Sequence, residues 1–234
     1  MRVLLLGTGG MLAHDLISEA TSNIELAAPQ EADLDVTDEH TLKSVMAAVR
    51  PEIVVNAAAY TDVDGAESDP DLAYTVNSTA LGNIGRAAVA VGAGVVHYST
   101  DYVYGGSRQQ AYRETDPTDP LGVYGASKLA GEEELAATGA RHLIIRTQWL
   151  FGAHGKSFPR TMWQRGIEKS VTSVVNDQVG CPTYTVDLAR ATWRLIEIEQ
   201  QAPNTATSSI LGKSLQGSSL LHVANSGSAT STWS

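Results

Sequence analysis

A parallel, doubly wound α/β sheet is the fold this sequence predicts, and three observations predict it. Short, β-branched apolar runs alternate with segments of helical period, as when helices cover both faces of a parallel sheet. The first of those runs opens directly into a glycine-rich turn, Gly7-Thr8-Gly9-Gly10. At 234 residues, 43% hydrophobic and 18% charged, the chain can bury a large core, which excludes disorder for most of its length.

The elements follow in order. Val3 to Leu6 forms the first strand; its apolar run stops at Gly7, too soon for a signal peptide. His14 to Ala20 continues the turn as a helix, and Ile24 to Leu26 is the second strand. Thr37 or Asp38 then caps a helix with Leu42, Val45, Met46 and Val49 on one face, until Pro51 stops it. Ile53 to Asn56 completes a βαβ unit. Asp71 to Ala93 is helical, with Gly82, Gly85 and Gly92 allowing close packing. Val95 to Ser99, Leu143 to Arg146 and Val171 to Val175 are the later strands, and a helix runs from about Tyr124. Leu220 to Asn225 reads as one more strand inside a Ser- and Thr-rich tail whose single charge is Lys213. Residues 1 to 150 are thus expected to form a dinucleotide-binding domain. Residues 151 to 234 are expected to carry its remaining elements, interleaved with a smaller, incomplete substrate-binding portion.

Composition narrows the function. Sixteen Lys and Arg against 26 Asp and Glu give a net charge of −10, which argues against a nucleic-acid partner. Cys181 is the sole cysteine, so neither an internal disulfide nor a cysteine-based zinc site is available, and a reducing, cytoplasmic setting is the default. No run approaches the roughly 18 to 20 apolar residues of a membrane span. The acidic group Asp62, Asp64, Glu67, Asp69 and Asp71 fails the calcium-loop pattern, with Glu67 where glycine is required and Ala73 where glutamate is. Solvated charge at helix starts accounts for it better, and no metal is expected.

Two constellations carry chemistry. A glycine turn after a first strand lets the backbone approach a pyrophosphate, whose charge then meets helix N-terminal amides. The plain alternative is a tight turn with no ligand. Asp35 stands beyond the second strand, where a carboxylate can accept from an adenine amino group, while Asp38 serves equally as a helix cap. Small residues from Asn56 to Ala59, before Tyr60 and Thr61, leave room at the third strand's end. Tyr124 and Lys128, four apart, share a helix face, and an ammonium beside a phenol favours the phenolate. Tyr-x-x-x-Lys alone is common by chance; its order after the glycine turn and after the hydroxyls of Tyr98-Ser99-Thr100-Asp101 makes a catalytic pair the better account.

At this point the chain resembles the extended short-chain dehydrogenase/reductases, and within them the dTDP-4-dehydrorhamnose reductase family. The matching stretches are Ala58 to Glu67, Ser99 to Gly105, Arg146 to Gly152, Asp177 to Tyr184 and His222 to Gly227, and the likeness runs from residue 1 to about 195. The resemblance implies an NAD(P)-binding Rossmann fold. It implies a reductase that passes hydride from NADPH or NADH to C4 of a dTDP-linked 4-keto-6-deoxy sugar, with a homodimer allowed. By that analogy Tyr124 protonates the forming alkoxide, Lys128 tunes it and holds the nicotinamide ribose, and Thr100 bonds the carbonyl region. Gly7, Gly10, Met11 and Leu12 would line the pyrophosphate, Asp35 and Val36 would meet the adenine, and Ala59, Tyr60 and Thr61 would flank the ribose and nicotinamide. Thr100, Asp101 and Trp149 would touch the nucleotide-sugar.

The chain departs from the family in places. No basic residue follows the second strand to meet a 2′-phosphate, and Glu31 opposes one, so NADH is at least as well suited as NADPH. The segment from Ala202 to Ser219 does not resemble the family. A 4,6-dehydratase would need an acid where Tyr102 stands, which disfavours that chemistry. An epimerase retains its NAD without net consumption, and a non-catalytic NAD(P)-binding regulatory subunit would be expected to have lost Tyr124 or Lys128.

Overall fold

The structure, a computed structural model, describes residues 1–168, 171, 173–175, 177–201, 219–227 and 230–231. The chain runs through β1 (Arg2–Leu6), α1 (Met11–Ser18), β2 (Glu25–Ala27), α2 (Glu39–Val49), β3 (Ile53–Asn56), α3 (Val63–Ser68) and α4 (Pro70–Tyr74). A π-helical turn (Thr75–Thr79) leads into α5 (Ala80–Val91), then β4 (Gly94–Thr100) and a 3₁₀ turn (Asp101–Val103). After α6 (Val123–Ala137) come β5 (His142–Thr147), β6 (Leu150–Phe151), α7 (Phe158–Glu168), β7 (Val179–Gly180), β8 (Thr183–Tyr184), α8 (Thr185–Gln201), β9 (Ser219–His222) and β10 (Thr230–Ser231).

Six strands lie parallel in the order β2-β1-β3-β4-β5-β9. The alternation along each strand divides the core in two. Val3, Leu5, Val55, Val96, Tyr98 and Ile145 face Leu12 and Leu16 of α1 and Leu188 and Trp193 of α8. Leu4, Leu6, Val54, Val95 and Ile144 face Leu42 and Met46 of α2, Leu81 and Ile84 of α5 and Leu135 of α6. Helices thus cover both faces, and the chain is a doubly wound α/β fold. Since β1 is flanked by β2 on one side and β3 on the other, the connections diverge there and a crevice opens at the carboxyl ends of β1 and β3.

Helix starts match the acidic pattern. Asp38 accepts the His40 and Thr41 amides at the head of α2, Asp62 caps α3 and Asp69 caps α4. The expected Asp71 to Ala93 helix is divided by the π-helical turn into α4 and α5. Close packing is realised at Gly85, where a Cβ would come within 2.6 Å of the Thr138 hydroxyl oxygen.

One expected strand is absent among the described residues. Val171 and residues 173–175 belong to no regular element, and Val171 and Val175 are 79% and 55% exposed; Thr172 lies outside the described residues. The open edge of β5 pairs instead with β9, whose Leu220 and Leu221 pack against the two core clusters. β-branched content makes a strand only where a neighbouring ladder can bond it. Residues 202–218, which hold most of the segment unlike the family, lie outside the described residues.

Candidate active site

The glycine turn stands at the crevice. Gly7 adopts φ +78°, and a Cβ on it would lie 2.4 Å from the Ala58 nitrogen, so only glycine lets the ends of β1 and β3 approach this closely. Gly10 heads α1 without any side-chain cap, unlike the aspartates at α2, α3 and α4. The amides of Met11 and Leu12 in that first turn are therefore left for an anion. Space is open at Gly9, where a Cβ would meet nothing within 4 Å. These features fit a dinucleotide pyrophosphate.

Tyr124 and Thr100 meet at the carboxyl edge of the sheet, with the Thr100 hydroxyl close enough to the phenol to oppose its rise in pKa. Two features bring them together. Gly125 packs so closely that a Cβ there would lie 2.2 Å from the Tyr102 carbonyl oxygen, which seats α6 directly on the 3₁₀ turn. Glu67 of α3 accepts the Val123 amide at 2.7 Å and so fixes the first turn of α6. Burial pushes the Tyr124 phenol up to about 12; Thr100 opposes the rise, and Asp101 and Tyr102 raise it further. Tyr102 stands edge-on to Tyr124, with ring centroids 5.6 Å apart. Asp101, with a 3.2 Å bond from the Thr100 hydroxyl, is itself pushed up to about 6, chiefly by burial.

Lys128 is 1% exposed, and its Nζ lies 2.7 Å from the Tyr98 carbonyl and 3.0 Å from His97 Nε2. Burial lowers it to about 8, against the opposing pull of Glu132. The carboxylate of Glu132 is engaged by Arg146, which donates from Nε at 2.9 Å and from Nη2. The ammonium expected to draw the phenol down is thus turned inward along β4, and burial governs Tyr124.

The remaining expected residues are spread along the same edge. Tyr60 is held by Asn77 of the π-helical turn, which accepts its amide at 2.9 Å and donates to its carbonyl at 3.1 Å. Asn77 also donates to Ser127 of α6 at 3.0 Å, and so ties the Ala59-Tyr60-Thr61 segment to the helix that carries Tyr124 and Lys128. Asp35 is exposed; its Oδ1 accepts the Thr37 amide and hydroxyl, both at 2.8 Å, which leaves the second oxygen outward. Val36 packs at the rim of the core. Trp149, two residues past β5, takes a left-handed φ of 45°, unusual for a bulky side chain. Its indole lies against Gly180, where a Cβ would come within 3.1 Å of the ring.

Asn56, Asn77, His97 and Glu67 were missed as site residues. His97 and Asn56 had a signal, since a polar side chain inside an apolar strand run has to find a buried partner. Glu67 had none, because as a solvated acid it looked like its neighbours. No group of three or more His, Cys, Asp or Glu among the described residues could hold a metal ion, and no described helix is long and apolar enough to cross a membrane.

The family described as the RmlD substrate binding domain matches residues 1–233. The dTDP-4-dehydrorhamnose reductase of Escherichia coli strain K12 is 41% identical over 199 residues, covering 85% of this chain and 62% of its own length. That of Burkholderia thailandensis is 39% identical over 226 residues, covering 95% of this chain and 75% of its own. A crystal structure of dTDP-4-dehydrorhamnose reductase from Bacillus anthracis, in complex with NADP, superposes with a TM-score of 0.86 at 36% identity, covering 98% of this chain and 77% of that one. The chain thus spans between about three fifths and three quarters of the length of these relatives.

Proposed function

Because the chain belongs to the RmlD substrate binding domain family, we propose that it is a dTDP-4-dehydrorhamnose reductase. It would reduce the C4 ketone of dTDP-4-dehydro-6-deoxy-L-mannose with NADPH or NADH to give dTDP-L-rhamnose. The observation that carries this reading is that Tyr124 at the head of α6 stands beside Thr100 at the end of β4, on the same carboxyl edge of the sheet as the uncapped α1 turn.

Bound reduced nicotinamide supplies the hydride. The chain's own residues supply the proton and the orientation. With its phenol pushed up to about 12, Tyr124 keeps its proton at neutral pH, the state a reduction needs. An alkoxide is a stronger base than a phenolate, so transfer from the Tyr124 hydroxyl to the oxygen forming at C4 is downhill. Thr100 stands beside the phenol and would turn its hydroxyl from Asp101 to the carbonyl region when the ketone binds. Asp101, close to half-protonated near pH 6, can accept from or donate to a sugar hydroxyl, and Trp149 offers an apolar ring face. Gly7, Gly10, Met11 and Leu12 would hold the pyrophosphate, Asp35 and Val36 the adenine, and Ala59, Tyr60 and Thr61 the ribose and nicotinamide. Lys128 would reach the nicotinamide ribose. On this reading residues 1–150 bind the cofactor and residues 151–234 contribute the sugar-nucleotide portion. The net charge of −10 supports a small-molecule partner and no nucleic acid, and the single cysteine supports a cytoplasmic setting.

The test follows reduced-nicotinamide absorbance with enzymatically prepared dTDP-4-keto-6-deoxy sugar, comparing the wild type with Tyr124→Phe. Sugar-dependent oxidation that falls by about 10²- to 10⁴-fold in the variant, with cofactor binding retained, is expected. Cofactor binding without oxidation by the wild type would overturn the reading.

A further inference from the structure

We propose that Gly152 to Lys156 is the outer wall of the dinucleotide's pyrophosphate site, fastened to α1 by a pair of stacked imidazoles and ending in Lys156 as the cation that meets the phosphates. This rests on the cofactor-binding reading given above and adds to it a segment from the other end of the chain. Following β6, the segment runs along α1 toward its head. Gly152 lies against the second turn, where a Cβ would come 3.3 Å from Met11 Cγ and 3.4 Å from Asp15 Oδ2. His154 stacks on His14 of α1, with ring centroids 4.4 Å apart and planes 12° from parallel. A Cβ on Gly155 would then stand 3.5 Å from Met11 Cβ and 3.8 Å from the Met11 nitrogen, and Gly155 takes a left-handed φ of +68°. That nitrogen carries one of the amides left open at the uncapped head of α1.

A pyrophosphate needs a counter-charge that the glycine turn does not hold. Thr8 to Ala13 contains no Lys or Arg, and the chain as a whole carries −10. Of the residues expected at the cofactor only Lys128 is basic, and it is buried against Tyr98 and His97. Helix amides supply only partial charge. Lys156 is one peptide step, about 3.8 Å between Cα atoms, from the glycine that lies against the Met11 amide. On its flexible four-carbon stem the ammonium reaches whatever that amide binds. Lys156 is exposed and forms no ion pair with an acid among the described residues. The nearest carboxylate along α1, Asp15, is 4% exposed beneath Gly152 and so is closed off from the open end of the wall.

The imidazole stack decides where this cation stands. Between the end of β6 and the start of α7 the segment has no ladder or helix of its own, so contact with α1 sets its height over the open amides. His154 is the positioning residue, since its ring face on His14 holds the segment one residue before Gly155 and two before Lys156. The absence of a side chain at Gly155 keeps the Met11 amide clear. Both nicotinamide dinucleotides carry the same pyrophosphate, so the wall serves NADH and NADPH alike.

Titration of cofactor by its nicotinamide fluorescence tests this without turnover. Lys156→Gln should raise Kd about tenfold for NADH and NADPH alike, and should flatten the rise of Kd with salt, because one charge pair with the phosphates is gone. His154→Ala should weaken both cofactors several-fold, and His154→Phe, which keeps a ring to lay on His14, should recover most of that loss. Both positions are exposed, so the variants fold, and thermal melts matching the wild type confirm it. Unchanged affinity and salt dependence in Lys156→Gln overturn the proposal. A loss confined to NADPH does so as well, since the lysine then meets the 2′-phosphate, and so does a His154→Ala variant with the wild-type Kd. A wild type that binds both cofactors, shows these losses in its variants and oxidises neither with the sugar overturns the proposed function alone; one that turns over with Kd indifferent to Lys156 overturns this proposal alone.

Discussion

Glu67 of α3 accepts the backbone amide of Val123, the residue immediately before Tyr124, at 2.7 Å. The head of the helix carrying Tyr124 and Lys128 is thus capped by a side chain 56 residues earlier in the chain. Glu67→Ala removes that acceptor. A loss of about 1 kcal/mol in unfolding free energy is expected from denaturant titration, with a several-fold fall in kcat as the Tyr124 turn frays.

Asp101 gives a pH-dependent stability. Its carboxyl titrates near 6 in the folded chain against an ordinary 3.8, so the folded state holds its proton more tightly. That contribution is fully present below about pH 4 and is lost as pH rises through about 6. Asp101→Asn should therefore be more stable than the wild type by about 1 to 3 kcal/mol at pH 7 and equal to it below about pH 4, in thermal melts across that range. Turnover of the sugar-nucleotide should fall in the same variant.

Arg146 and Glu132 form an ion pair in which each side chain is 7% exposed, and Arg146 also donates to the Tyr104 hydroxyl at 2.6 Å. Glu132→Ala leaves a buried guanidinium without its carboxylate and should cost about 3 to 5 kcal/mol. Replacing both partners, Glu132→Leu with Arg146→Met, should recover most of that loss, since the charge is then gone as well. Denaturant midpoints of the single and double variants measure the difference.

Gly7→Ala meets both a left-handed backbone and the Ala58 nitrogen. Cofactor affinity should drop by at least about tenfold in fluorescence titration, because relieving the contact parts β1 from β3 at the crevice; an unchanged Kd would show that the crevice adapts.

Much of this was legible in the sequence because it is local. The continuous apolar runs Val3 to Leu6 and Ile53 to Val55, the stripe of Leu42 and Met46, the Asp38 cap and the four-residue step from Tyr124 to Lys128 each depend on neighbours within a turn or a strand. Such periodicity determined the class of fold, the placing of the glycine turn and the identity of the candidate pair. What the tertiary structure decided lies across long separations: His97 against Lys128 at 31 residues, Asn56 against His97 at 41, Asn77 against Ser127 at 50. It also gave the sheet edge to β9 and left Val171 and residues 173–175 without a ladder, although the β-branched run promised a strand. A side chain's type is written in the chain, but its dielectric surroundings and the direction of its hydrogen bonds exist only once distant elements are packed. For that reason the sequence could name Tyr124 and Lys128, and only the fold could set the phenol near 12 and turn the amine toward His97.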